Sequence, residues 1–199
     1  MKRTSLLSIL AVIPALLVPV AAAGQAVPPA PPPAPHRYEV YAGFAYTSLN
    51  QVNQSRYGLM GGKVAATRDW GKYFGLMASG DYYKPPTGHG SPGNPGNPSV
   101  YSFMVGPEIH ADLYGNLSGQ LFAELGGMHT GGEHMTPNLS FAGGFGGGMT
   151  YRLSDRWAIR ATGDRVAASF SLSNNTPQLS YSSHITWNAR GTVGVVYRF

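Results

Sequence analysis

The final eight residues, Thr192-Val193-Gly194-Val195-Val196-Tyr197-Arg198-Phe199, decide the fold because they alternate between two kinds of side chain. Every second residue from Val193 to Phe199 is apolar, and this face ends in two aromatic rings. The intervening positions are mostly small or charged. A repeat of two residues is typical of a β-strand with one apolar face. The segment therefore predicts a strand, and the same pattern recurs upstream.

Eight segments after residue 36 alternate in this way, and none has a helical period. They are residues 38–47, 57–68, 74–83, 100–110, 117–129, 139–153, 157–166 and 187–199. Their connections alternate between short turns, at residues 69–73, 111–116 and 154–156, and longer polar loops, at residues 48–56, 84–99, 130–138 and 167–185. This alternation predicts an all-β chain folded as an eight-stranded antiparallel up-and-down barrel.

The amino-terminal 36 residues have a different composition. Lys2 and Arg3 precede an apolar run at residues 6–20, and small residues follow it, as in a secretory signal peptide. We assign residues 1–26 to this signal, with cleavage after residue 23 or 26. The proline-rich segment at residues 27–36 predicts an extended tether. The barrel domain then covers residues 37–199.

Composition excludes several kinds of function. The chain has 199 residues and no cysteine, so it has no disulfide framework, thiolate metal site or cysteine nucleophile. Without Lys2 and Arg3, 12 basic residues stand against 9 acidic ones, for a net charge of +3. This charge is small and dispersed along the chain, so nothing points to nucleic acid.

Charged residues are concentrated on the less apolar face of the predicted strands. The face carries five acids and five bases: Glu39, Asp81, Glu108, Glu124, Asp164, Lys63, Arg152, Arg160, Arg190 and Arg198. Buried charges must be paired, so a balanced set suits the interior of a closed barrel. The apolar face has charges only near strand ends, at Arg68 and Arg165, and many aromatic residues near the ends of strands. We predict that this face contacts lipid and that the ten charged residues form a network in the lumen.

From residue 37 onward, the chain resembles the OmpA/OmpX-like bacterial outer-membrane β-barrel domain family. The resemblance rests on residues 38–46, 74–76, 146–153, 157–160, Asp164 and residues 188–190, which lead into the terminal strand. It implies an eight-stranded transmembrane β-barrel in the outer membrane of a Gram-negative cell. It also implies that Thr192, Gly194, Tyr197 and Phe199 form the insertion signal read by the barrel-assembly machinery. No peptidoglycan-binding domain is expected after Phe199.

Histidine and serine residues near the long loops suggest two further kinds of site. His89, His129, His134 and His184 could meet at one barrel end, but their spacing does not indicate a metal site, and we assign none. His129 with Ser140, or His184 with Ser182 or Ser183, supply a base and a nucleophile, but no orienting carboxylate is evident. We therefore assign no catalytic residue and no cofactor.

The functional prediction is a non-enzymatic, monomeric outer-membrane barrel whose lumen is plugged by paired charges. Its role is structural or depends on surface interactions of the extracellular loops, and its partners are outer-membrane lipid and lipopolysaccharide. Two alternatives remain open from the sequence. One is a lipid A-modifying enzyme on the same scaffold, and the other is a soluble periplasmic barrel that binds a ligand inside.

Overall fold

The computed structural model describes residues 38–50, 56–85, 99–131, 138–170 and 184–199. These residues form eight strands: β1 Tyr38–Asn50, β2 Arg56–Trp70, β3 Phe74–Lys84, β4 Ser99–Tyr114, β5 Leu117–Gly131, β6 Asn138–Arg152, β7 Trp157–Phe170 and β8 His184–Arg198. The predicted signal peptide, the tether and most of the long loops lie outside the described residues. The described residues contain no helix that is long and apolar enough to cross a membrane.

The eight strands close into one barrel in sequence order. Each strand pairs antiparallel with the next, and β8 returns to pair with β1, where Gly43 lies opposite Gly194. The register of β1 and β8 runs from Glu39 and Arg198 to Ser48 and Ala189. Closure provides each strand with two neighbours and leaves no sheet edge unpaired. The predicted eight-stranded antiparallel up-and-down barrel is confirmed.

Strand ends are where the prediction was least accurate. β4 continues to Tyr114, so the connection predicted at residues 111–116 shrinks to Gly115 and Asn116. β7 extends to Phe170, four residues beyond its predicted end. In both places the backbone ladder with a neighbouring strand continues after the simple alternation of apolar and polar residues has ended. Hydrogen bonding between backbones, and not side-chain pattern, sets these ends.

Three short turns define one end of the barrel. Gly71 and Gly115 have positive φ angles of 81° and 55°, a backbone conformation that glycine adopts without a steric penalty. The turn between β6 and β7 is held by two backbone hydrogen bonds, from the amides of Leu153 and Ser154 to the Trp157 carbonyl. We call this the short-turn end, and the opposite end the long-loop end.

The two faces of the barrel wall have the predicted orientation. On the outward face, Val64, Phe103 and Leu121 are exposed by 59%, 64% and 61% of their surface. On the inward face, the neighbouring Lys63 is only 4% exposed. A soluble barrel that binds a ligand inside needs the reverse arrangement, with an apolar cavity and a polar exterior. The outward face is instead suited to an apolar solvent.

Candidate functional site

Arg190 on β8 is the centre of the largest group of charges inside the barrel. Its guanidinium donates two hydrogen bonds to Asp164 of β7, from Nε to Oδ1 at 2.8 Å and from Nη2 to Oδ2 at 2.6 Å. Nη1 donates to Oδ2 of Asp81 on β3 at 2.6 Å, and Nη2 lies 3.6 Å from Oε2 of Glu124 on β5. One arginine therefore ties together strands on opposite sides of the lumen. The planar guanidinium makes this multidentate pairing possible.

Lys63 on β2 completes this group, which we call the central cluster: Lys63, Asp81, Glu124, Asp164 and Arg190. Lys63 Nζ lies 3.6 Å from Glu124 Oε2 and 4.0 Å from Asp164 Oδ2. The hydroxyls of Ser79 and Ser102 donate to Glu124 and Asp81, each at 2.6 Å. The cluster contains three carboxylates and two cations, so the hydroxyl donors supply hydrogen bonds that the cations do not.

A second group of charges lies nearer the short-turn end. Arg160 pairs with Glu39, and Arg198 Nε donates to the other oxygen of Glu39 at 2.7 Å. Arg160 also donates from Nε to the Thr150 hydroxyl at 2.9 Å, and its Nη1 lies 4.0 Å from Glu108. We call Glu39, Glu108, Arg160 and Arg198 the turn-side cluster. Its two acids and two bases balance within the group.

Arg152 is the one residue of the predicted network that joins neither cluster. Its Nε is buried and has no hydrogen-bond partner among the residues that the structure describes.

Asp69, which the sequence placed in a turn, instead lies within β2, with His110 Nδ1 at 3.9 Å from its Oδ1. The sequence missed this pair because the alternation on β2 was traced only to residue 68.

An apolar layer fills the lumen at the long-loop end, and the sequence analysis did not anticipate it. Each member lies within about five residues of the long-loop end of its strand. The layer comprises Ala45, Leu59, Tyr83, Val100, Met104, Met128, Ala142, Val166 and Ala168, all at most 3% exposed. The interior therefore holds the central cluster in its middle and this apolar layer on the long-loop side of it. On the short-turn side, the turn-side cluster is accompanied by a second group of buried apolar residues: Tyr41, Ala65, Met77, Phe122, Ala158 and Val196. The inward positions near the long loops are already apolar in the sequence, but the aromatic residues at the neighbouring outward positions hide this pattern.

His129 and Ser140, to which the sequence analysis assigned no catalytic role, lie on opposite faces of the barrel wall. His129 lies outward beside the Tyr101 ring, with the ring centroids 6.0 Å apart. Ser140 is opposite the buried Met128 and donates to its carbonyl oxygen at 3.4 Å. His89, His134, Ser182 and Ser183 lie outside the described residues, as does the side chain of His184. In the part of the chain that the structure describes, no group of three or more potential metal ligands occurs.

The predicted insertion signal occupies the seam between β8 and its two neighbours. Thr192 faces the lumen and accepts a hydrogen bond from the Tyr41 hydroxyl at 2.9 Å. Tyr197 faces outward, and its ring centroid lies 4.8 Å from that of Trp157. Phe199 stacks on Tyr38 at 6.1 Å, and backbone hydrogen bonds join the same two residues in both directions. These contacts close the barrel at the short-turn end.

Comparison with known proteins supports the architecture. The sequence matches no protein-family model and no curated protein. Neisserial surface protein A is similar in structure, with a TM-score of 0.63, 14% sequence identity and coverage of 81% of this chain and 97% of that one. Ail, the attachment invasion locus protein of Yersinia pestis, has a TM-score of 0.54 and 15% identity, with coverage of 82% and 99%. The chain therefore has the fold of the eight-stranded outer-membrane β-barrels.

Proposed function

We propose that this chain is a non-enzymatic barrel protein of the Gram-negative outer membrane. The observation that carries the proposal is the division of the barrel wall into an apolar outward face and an inward face of paired charges. Aromatic side chains border the outward face near both ends, with Trp70, Phe74 and Trp157 at the short-turn end and Tyr82 and Tyr101 at the other. Such girdles mark the two interfaces of a membrane.

The lumen is plugged in this proposal. An eight-stranded barrel has an interior just wide enough for side chains. The central cluster spans it through Arg190, and the apolar layer lies between that cluster and the long-loop end. A hydrated ion on its way through would have to separate the buried ion pairs and also pass a layer that offers few polar groups. The interior thus supports a structural role better than a transport role.

Assembly depends on the terminal strand, and the long loops determine the specific role. Short turns and both ends of the barrel domain share one side, which is periplasmic in outer-membrane barrels, so the long loops are extracellular. The barrel-assembly machinery would read β8, and the inserted monomer would contact outer-membrane lipid and lipopolysaccharide. The names of the two similar proteins refer to the cell surface and to attachment, and surface interaction through loops is the corresponding role here.

Cell fractionation with a folding assay tests the proposal. We expect the full chain in the outer-membrane fraction, with a folded form that migrates differently in detergent gels before and after heating. Recovery of folded protein from the periplasm would refute it. Lipid A mass spectrometry of a deletion strain tests the non-enzymatic part separately. An unchanged lipid A profile is expected, and loss of one modified species would indicate the lipid A-modifying enzyme instead.

A further inference from the structure

A continuous series of ring contacts follows the outward face of the barrel at the short-turn end, from β7 across the seam between β8 and β1 to β3. We call it the seam belt, and it contains one arginine, Arg68, and six rings: Trp157, Tyr197, Phe199, Tyr38, Trp70 and Phe74. From Trp157 to Tyr38, the centroids of successive rings lie 4.8, 5.7 and 6.1 Å apart. The rings of Trp70 and Phe74 stack at 5.9 Å. The belt therefore has two parts, one across the seam and one on β2 and β3.

Arg68 on β2 joins the two parts of the seam belt. Its guanidinium carbon lies 5.9 Å from the centroid of the Tyr38 ring and 5.5 Å from that of the Trp70 ring. A cation within about 6 Å of a ring centroid, over the ring face, is attracted by the π electrons. The register places Arg68 directly opposite Tyr38 on β1, and Trp70 follows two residues later on the same face. Among the described residues, no ring pair connects Tyr38 with Trp70 directly, so the belt is continuous only through Arg68.

The seam is the strand pair that depends most on side-chain contacts. It joins the first and the last strand, so neither of its ends is closed by a connecting turn or loop. Glu39 and Arg198 pair there although 159 residues separate them in the chain. The entropy cost of bringing two chain segments together rises with their separation, so this pairing is costly to form. At the short-turn end, two backbone hydrogen bonds join Tyr38 and Phe199, at 3.3 and 3.0 Å. Contacts that hold these two residues together therefore protect the seam from opening.

From these contacts we infer that Arg68 is a positioning residue for closure of the barrel. Its guanidinium holds the Tyr38 ring against Phe199, and this contact keeps the end of β8 paired with β1. The proposed insertion signal lies wholly within residues 192–199, so Arg68 adds a contribution from a different strand. The inference rests on the proposed location in the outer membrane, because the belt then lies at an interface, where a cation on the outward face costs little. It also gives a reason for the charge on the apolar face of β2.

Hydrogen–deuterium exchange with mass spectrometry measures opening of the seam in the folded protein. The readout is the exchange rate of the backbone amides at residues 192–199, which belong to a strand that is not adjacent to β2. The wild type is compared with Arg68→Gln, Tyr38→Leu and the double variant. Arg165→Gln is the matched control, because it makes the same change at an exposed position on the outward face of β7, nearer the long-loop end. Each protein is refolded in phosphatidylcholine vesicles and in octyl glucoside micelles, which contain no phosphate, and heat-modifiable migration checks that it is folded.

We expect Arg68→Gln to raise the exchange rate at residues 192–199 roughly fivefold, and Arg165→Gln to leave it unchanged. The double variant should exchange no faster than Tyr38→Leu alone, since Arg68 acts through that ring. Equal rates in the wild type and Arg68→Gln would overturn the inference, and so would additive effects of Arg68→Gln and Tyr38→Leu. An increase in vesicles but not in micelles would overturn it too, because Arg68 would then act by binding lipid phosphate.

Trp70→Leu replaces Arg68→Gln if that variant does not fold. It removes the ring on the other side of the guanidinium and should raise the same exchange rate, and an unchanged rate would again overturn the inference. Cell fractionation decides the membrane location independently, so a negative result here leaves the proposed function standing.

Discussion

Replacing Arg190 with methionine should destabilise the barrel more than any other single change among its luminal cations. The guanidinium contacts Asp81, Glu124 and Asp164, and the side chains of all four residues are at most 2% exposed. Methionine retains much of the volume and removes the charge. Lys63 remains near Glu124 and Asp164, at 3.6 and 4.0 Å, and lies opposite Asp81 in the register of β2 and β3. Among the described residues, however, Asp81 has no ion pair other than the one with Arg190, and its Oδ2 keeps the Ser102 hydroxyl. Asp81 therefore loses its ion-pair partner while it stays buried.

The expected loss follows from this broken ion pair. Removing one partner of a buried ion pair costs about 3–5 kcal/mol, mostly because the other charge stays buried without compensation. If this is the cause, Asp81→Asn added to Arg190→Met should recover a measurable part of the loss, since it neutralises the unpaired carboxylate. A matched change at Arg198 should cost less, about 1–2 kcal/mol, because it removes one hydrogen bond to a carboxylate that keeps another cation. Arg198 is 12% exposed, and its partner Glu39 keeps Arg160.

Urea unfolding in lipid vesicles, followed by tryptophan fluorescence, measures these differences. Trp157 and Trp187 face outward, so their emission changes when the barrel leaves the lipid. Equal stability of Arg190→Met and Arg198→Met would show that the central cluster does not hold the barrel together. No recovery by Asp81→Asn would show that the loss comes from packing and not from an unpaired charge.

Three further changes test the wall of the barrel. Gly61→Ala should cost about 1–3 kcal/mol in urea unfolding, because a Cβ there overlaps the backbone of β3, whereas Gly62→Ala meets its nearest atom at 3.6 Å and should be neutral or slightly stabilising. Val64→Arg should cost about 2–4 kcal/mol in the same assay, because it places a charge on the lipid-facing surface. Tyr197→Ala with Phe199→Ala should reduce the amount of folded protein in outer membranes, measured by heat-modifiable migration, because it removes ring contacts that close β8.

Tyr114 provides the control for the last two changes. It is 87% exposed beside the short turn between β4 and β5, beyond the paired aromatic rings of the girdle. Tyr114→Arg and Tyr114→Ala should therefore fold and assemble like the wild type. A Val64→Arg variant as stable as Tyr114→Arg would contradict the lipid-facing orientation. Normal assembly of the Tyr197 and Phe199 double variant would contradict the role of the terminal strand. Equal effects at Gly61 and Gly62 would contradict the close approach of β2 and β3.

The architecture could be predicted from the sequence because each strand of the closed barrel has one face toward the lipid and one toward the lumen. Its side chains therefore alternate between apolar and polar with a period of two residues. Lys63 between Gly62 and Val64 is typical, since a single step along the strand moves from lipid to lumen. Strand count, the order of short and long connections, and the face of each charge follow from that period. Strand ends do not, as the extension of β4 to Tyr114 shows. There the backbone ladder continues over residues whose side chains no longer alternate.

The pairing of charges is the part of the site that sequence could not supply. Glu39 on β1 is hydrogen-bonded to Arg160 on β7 although 121 residues separate them in the chain. Asp81 on β3 and Arg190 on β8 are likewise 109 residues apart. A period of two gives the face of a residue but not its height in the barrel, which depends on the register of every strand pair. Arg152 illustrates the difference, because it faces inward as predicted and joins neither cluster.

The position of each residue along the barrel axis also explains how the apolar layer shields the central cluster from water. Tyr83 belongs to the apolar layer and is two residues from Asp81 on the inward face of β3, so the layer begins one side chain beyond the cluster. The layer keeps water from the carboxylates on the long-loop side, which raises the cost of leaving any of them unpaired. Under the proposal of a plugged lumen, a leak would require two changes at once, rearrangement of the ion pairs and displacement of the apolar side chains above them. Loss of Arg190 alone should lower stability without opening a conductive path.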